Sequence, residues 1–190
     1  MIKYLPNALT LLRVISIPFF VILFMLDKTL IATVIYIIAC ITDYWDGKLA
    51  RKYGIVSNFG KLMDPMADKL LVMSALILLW LPPISYIHWV VVVIIALREI
   101  AVSMLRQHYL KKNIIMAAND WGKLKTTAQM TGIITALVVY SALQLNFMKF
   151  LLPFERGMVL FIQYFFWVIV FVTILSGVKY FKHKKIVENE

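Results

Sequence analysis

Apolar residues run through the chain in six long stretches, at about 10–26, 30–52, 61–81, 86–110, 122–147 and 157–181. Short polar breaks divide them: Asp27-Lys28, the stretch 51–58, Pro82-Pro83, and the stretches 111–120 and 149–156. A helix rises 1.5 Å per residue, so about 20 apolar residues cross a hydrocarbon layer of about 30 Å. Each stretch is of that length. The pattern predicts an all-α integral membrane protein of six transmembrane helices, with residues 1–190 forming a single membrane domain. No internal repeat, low-complexity tract or second domain interrupts it.

Composition agrees with that pattern. Of 190 residues, 62% are hydrophobic and 16% charged, against about 45–50% and about 25% in soluble domains. A water-soluble globule is excluded. The net charge of +10 raises the possibility of nucleic acid, but the position of the charge answers it. With the N-terminus in the cytoplasm, 17 of the 20 Lys and Arg fall at cytoplasmic ends, leaving Lys28, Lys149 and Arg156 outside. The positive-inside rule selects this orientation, with both termini in the cytoplasm. The basic charge then meets the anionic inner leaflet and needs no nucleic acid. The first stretch has a Lys ahead of an apolar run, as a signal peptide does, but lacks a small-residue cleavage site and contains Arg13. It reads as a retained first helix. Lys3, Tyr4 and Pro6 precede it, either as a short interfacial segment or as a frayed end. Cys40 is the single cysteine, so there is no disulfide framework.

Four of the ten acidic residues, Asp43, Asp46, Asp64 and Asp68, lie in or beside the second and third apolar stretches. An isolated carboxylate near a bilayer centre costs about 2.5–3.5 kcal/mol, so something must compensate them. At about 100° per residue, Asp43, Asp46, Gly47 and Ala50 share one helical face, and Gly60, Asp64 and Asp68 share another. A short cytoplasmic loop makes these helices antiparallel neighbours, so the two faces can meet. Salt bridges to Lys48, Arg51, Lys61 and Lys69 are the simplest compensation for one or two pairs. Four converging acceptor-only groups suit hard divalent cations better. No His or Cys joins them: His88 and His108 belong to the fourth stretch or its ends, and His183 to the basic tail. That disfavours zinc and favours magnesium or manganese. Two divalent ions would balance four carboxylates, and paired metals are a recurring clamp for displacement at phosphorus. The predicted chemistry is phosphoryl-group transfer.

The stretch 43–68 reads D-x2-D-G-x2-A-R-x8-G-x3-D-x3-D, eight fixed residues over 26 positions. It resembles the signature of the CDP-alcohol phosphatidyltransferases. The resemblance implies six transmembrane helices with an interfacial N-terminal segment, a homodimer, and residence in a bacterial-type inner (cell) membrane with the site facing the cytoplasm. It implies two Mg2+ ions, one held by Asp43, Asp46 and Asp64 and the other by Asp43, Asp64 and Asp68, with Asp68 also the general base. It further implies that Pro6, Asn7, Ala8, Gly47, Arg51 and Ser57 contact the CDP part of a CDP-diacylglycerol donor. Ala50 and Gly60 serve either that donor or simple helix packing.

Three looser stretches, PNALTLLR at 6–13, LREIAVSMLRQH at 97–108 and AANDWGKLKTTAQ at 117–129, resemble the branch of that family whose acceptor is sn-glycerol 3-phosphate. The implied products are phosphatidylglycerophosphate and CMP. The acceptor phosphate requires cations, and Arg98, Arg106, Lys123 and Lys125 are the candidates toward the cytoplasm. Arg98 lies deep in an apolar stretch, where an unpaired guanidinium is expensive; it serves the phosphate or bridges to Glu99 or Asp120. Arg13 serves the donor or snorkels. Trp80, Trp89 and Trp121 read as interface anchors. Rival readings are a membrane prenyltransferase, an ion-coupled transporter, and a transferase of the same family with another acceptor, making cardiolipin, phosphatidylserine or phosphatidylinositol phosphate.

Overall fold

In the computed structural model the backbone is described for residues 5–53, 58–111 and 120–187. Within these, the side chains of 5–10, 44, 46–53, 58–65, 106, 110–111, 120–121, 123, 146–149 and 179–187 lie outside the description. All regular structure among the described residues is helical: α1 (Leu5–Met25), α2 (Thr29–Tyr53), α3 (Asn58–Trp80), α4 (Trp89–Lys111), α5 (Asp120–Gln144) and α6 (Glu155–Val187). The six helices correspond one to one with the six apolar stretches.

Three boundaries differ from expectation. α1 is described from Leu5, so Pro6, Asn7 and Ala8 are helical and continuous with it, while Lys3 and Tyr4 of the expected entry segment lie outside the described residues. The expected break at 149–156 is a 3-10 helix, Asn146–Phe154, that leads directly into α6. α6 has 33 residues, about 50 Å at 1.5 Å per residue, and so outruns a hydrocarbon layer of about 30 Å.

α1 and α2 are joined by a tight turn. Asp27 takes a left-handed conformation at φ 59°, its N–H donates to Phe24 O, and the Lys28 N–H donates to Leu23 O at 2.9 Å. These two bonds cap the free carbonyls of α1 and reverse the chain within three residues. α1 then packs along α2 and α3, α2 also meets α5, α3 meets α4 and α5, and α6 lies against α4 and α5. Phe20, Tyr36, Leu76, Ile95, Leu137 and Phe166, one from each helix, are buried in the common core. The Phe20 and Tyr36 rings sit 5.2 Å apart. Between α2 and α5, Thr33 and Ser141 share a buried hydroxyl hydrogen bond of 2.8 Å.

The outer surface is apolar as well. Phe19, Ile38, Leu70, Leu97, Val138 and Phe171, again one per helix, are exposed. An apolar exterior around an apolar core is the arrangement a lipid environment permits and water does not. Among the described residues, Leu124–Gln144 and Phe150–Val178 are long and apolar enough to cross a membrane; Leu11–Met25 and Thr29–Asp43 are shorter apolar helices. The chain is a membrane protein. Charged residues cut the apolar runs of α2, α3 and α4, and several of them form the site described next. At the far end of α3 and the start of α4, Trp80 and Trp89 are exposed, as interface anchors are.

Candidate active site

The α1–α2 turn sets the first contact of the site. Arg13 lies 12 residues before the end of α1 and Asp43 lies 14 residues after the start of α2, equal depths of about 20 Å from the turn. They meet: Arg13 Nη1 is 2.8 Å from Asp43 Oδ1, with Arg13 1% exposed and Asp43 33%. Arg13 therefore does not snorkel. It points inward and compensates Asp43 from α1; the side chains of Lys48, Arg51 and Lys61, the other candidates weighed for this role, lie outside the described residues. The pairing is not evident along the chain; equal spacing from the break at Asp27-Lys28 becomes a signal once that break is known to be a tight turn.

Beside this pair, α3, α4 and α5 enclose a small cavity of about 30 Å³, lined by Asp68, Lys69, Glu99, Lys125, Thr126 and Gln129 with Val72 and Met73. Lys125 Nζ donates to Glu99 Oε1. Arg98 Nη1 reaches the same oxygen at 3.2 Å, and Arg98 Nη2 donates to Ser176 Oγ of α6. Lys69 Nζ donates to Ser103 Oγ, and that hydroxyl donates in turn to the backbone O of Glu99 at 2.5 Å. Glu99 thus gathers Arg98 and Lys125 onto one carboxylate, so the bridge to Glu99 weighed for Arg98 is formed. Asp68 lies within electrostatic reach of Asp43, Glu99, Lys125 and Arg13. Every helix contributes a charged or hydroxyl side chain to this one polar layer.

Of the residues singled out in the sequence, the fold brings Asp68 and Lys125 into one cavity, places Arg98 on its Glu99 wall, and sets Asp43 against Arg13. Asp46, Gly47, Ala50 and Arg51 lie on α2, and Gly60 and Asp64 on α3; their side chains are outside the described residues. So are those of Pro6, Asn7 and Ala8 on α1, Arg106 on α4, and Trp121 and Lys123 on α5; Ser57 and His183 likewise offer no described side chain. Sequence reasoning missed Gln129, Ser103 and Ser176, because an uncharged polar residue in a long apolar helix carries little pattern of its own.

The residues present fit a hard divalent cation. Asp68 Oδ1 is buried and has no hydrogen-bond partner among the described residues, so its lone pairs are available to a hard cation. The described residues include no cluster of three or more His, Cys, Asp or Glu; Asp46 and Asp64, the other two expected ligands, fall outside them. Of the softer donors, His88 is exposed beside Trp89 at the opposite end of the bundle, while Cys40 lies within electrostatic reach of Asp43, Asp68 and Tyr36.

A lipid-embedded helical bundle that holds an unsatisfied carboxylate next to gathered cations is arranged to bind a charged ligand such as a phosphate ester. The comparisons with known proteins make the class specific. Residues 3–178 match the CDP-alcohol phosphatidyltransferase family, and the chain belongs to it. The chain is 39% identical to the CDP-diacylglycerol–glycerol-3-phosphate 3-phosphatidyltransferase of Bacillus subtilis (strain 168) over 192 residues, 93% of each chain. It is 43% identical to the protein of that name from Haemophilus influenzae over 135 residues, 66% of this chain and 71% of the relative. With that of Rickettsia typhi it shares 32% over 183 residues, 95% and 96% of the two chains. Members of the family use a divalent metal.

Proposed function

We propose that this chain transfers the phosphatidyl group of CDP-diacylglycerol to sn-glycerol 3-phosphate, releasing CMP and forming phosphatidylglycerophosphate. The observation that carries the reading is the meeting of a buried, hydrogen-bond-free Asp68 oxygen with Lys125 in one cavity. A base for an alcohol and a cation for a phosphate are what this acceptor demands. Relatives of that printed activity, matching nearly the whole chain, support it.

In this reading Asp68 accepts the proton of the acceptor hydroxyl as its oxygen attacks the phosphorus attached to diacylglycerol. The new P–O bond forms while the bond to the CMP oxygen breaks, and CMP leaves with the electron pair. Lys125 and Arg98 hold the acceptor phosphate, with Arg106 and Lys123 nearby on the same two helices. Arg supplies a planar fork for that phosphate, Lys a point charge. Gly47, Arg51 and Ser57, with Pro6, Asn7 and Ala8 and the small Ala50 and Gly60, receive the CDP portion. Asp43, Asp46, Asp64 and Asp68 would hold two Mg2+ ions, which supply charge neutralisation at the diphosphate. Arg13 holds the Asp43 carboxylate at its depth in the bundle.

Six spans, cytoplasmic termini, a cell-membrane location and a homodimer complete the proposal; the helix count, the apolar exterior and the distribution of Lys and Arg support the first three. The test is CMP release from CDP-diacylglycerol by the purified protein with glycerol 3-phosphate, phosphatidylglycerol, serine or inositol phosphate as acceptor. Release with glycerol 3-phosphate alone, lost on chelation and restored by Mg2+, is expected. Release with any other single acceptor overturns the reading.

A further inference from the structure

Gln129 follows Lys125 by one turn of α5, so both side chains stand on one face of the helix. It is 2% exposed, and neither Oε1 nor Nε2 has a hydrogen-bond partner among the described residues. A buried carboxamide with both ends unmatched is costly to a folded chain and calls for a specific explanation. Its surroundings supply one, because it lines the same cavity as Asp68 and Lys125. The other polar side chains of that cavity are engaged. Lys69 donates to Ser103, Glu99 accepts from Lys125 and Arg98, and Thr126 donates to Gly122 O at 3.0 Å. Asp68 Oδ1 and the Gln129 amide make no hydrogen bond among the described residues, and the Lys125 ammonium keeps donors beyond the one given to Glu99. A volume of about 30 Å³ is the room of one or two waters, which suits a hydroxyl-bearing carbon and not an acyl chain.

We propose that Gln129 binds the non-reacting secondary hydroxyl of a glycerol-phosphate acceptor and is a specificity-determining residue of the reaction; this rests on the acceptor reading above. The acceptor has three polar positions, and the cavity and its wall offer three kinds of group. Lys125 and Arg98 match the phosphate, Asp68 the reacting hydroxyl, and the carboxamide the remaining one. A secondary hydroxyl both donates and accepts, and Gln129 presents Oε1 to accept and Nε2 to donate. A phosphate acceptor without that hydroxyl leaves the amide buried and unmatched.

The experiment compares sn-glycerol 3-phosphate with 3-hydroxypropyl phosphate, which differs only by lacking the secondary hydroxyl, in CMP release by the full-length protein with CDP-diacylglycerol and Mg2+. The wild type is expected to favour glycerol 3-phosphate in kcat/KM by about ten- to a hundredfold. Gln129→Met, close in volume and without hydrogen-bonding capacity at its end, is expected to bring that ratio to within about threefold of one. Gln129→Asn, whose amide stops one methylene short, carries the same expectation should the methionine variant fold too poorly to assay. Equal use of both acceptors by the wild type, or a variant that keeps the wild-type ratio at whatever absolute rate, overturns the proposal and makes Gln129 a hydrated core residue. Wild-type protein that turns over neither phosphate acceptor strikes the acceptor reading instead, so the two failures are distinguishable.

Discussion

Replacing Glu99 by glutamine keeps the shape of the side chain and removes the one negative charge that holds Arg98 and Lys125 together. The exposures are low: 17% for Glu99, 5% for Lys125 and 13% for Arg98. At the 3.2 Å separation of Arg98 and Glu99, two unit charges in an effective dielectric of about 20 attract by roughly 5 kcal/mol. Desolvation of the carboxylate offsets several kcal/mol of this in the intact protein, so the network adds little net stability. Removing one partner is different, because two cations stay buried without their counter-charge, which costs about 3–5 kcal/mol. Glutamine still offers an acceptor oxygen, which puts Glu99→Gln near the lower end, about 3 kcal/mol. Thermal unfolding of the purified protein, followed by tryptophan fluorescence, should show a transition several degrees below wild type. Glycerol 3-phosphate should then raise that transition more in the variant than in the wild type, since its phosphate supplies the missing negative charge and a ligand that binds only the folded state stabilises it. A melting temperature equal to wild type would show that the pair is not desolvated. Equal ligand shifts in the two proteins would show that the acceptor phosphate binds away from Lys125 and Arg98.

Asp68→Asn should lower CMP release by about 10²–10⁴-fold, the usual worth of a positioned base, while CDP-diacylglycerol binding by calorimetry stays near wild type; near-normal turnover would assign the proton to another group. Arg13→Met should lower both melting temperature and CMP release, because it removes the 2.8 Å ion pair with Asp43, and Arg13→Lys should recover part of the stability. An Arg13→Met protein that melts with the wild type would refute a structural role for the pair. At Gly132 a Cβ would stand 2.9 Å from Ile169 Cδ1 and 3.1 Å from Phe165 Cε1, so Gly132→Val should separate α5 from α6 at a cost of about 1–3 kcal/mol. A transition unchanged in chemical denaturation would show that α6 yields freely at that contact.

Much of the site could be read along the chain because its parts are charged and its background is not. A carboxylate or guanidinium in an apolar helix is costly unless matched, so Asp43, Asp68, Arg98 and Lys125 announce themselves. Helical periodicity then tells which of them share a face. Gln129 escaped because a neutral amide among threonines and methionines breaks no such rule; only its burial without a partner marks it. Arg13 was visible as a charge but not as a partner. Its pairing needed the turn at Asp27, whose left-handed backbone sets the register of α1 on α2.

Hydropathy and spacing by themselves determined that the protein is helical, that it lives in lipid, and that its acidic and basic side chains concentrate at one depth. Those properties follow from solvation and from the 3.6-residue period, both local to each stretch of sequence. Which charge meets which was decided by tertiary packing. The Lys125–Glu99–Arg98 network joins α5 to neighbours on α4, and the Arg13–Asp43 pair joins α1 to α2. Depth alone leaves many such pairings equally good. The contacts of α1 with α2 and α3, and of α6 with α4 and α5, select one set, because helices packed through their cores have few ways to rotate without opening voids.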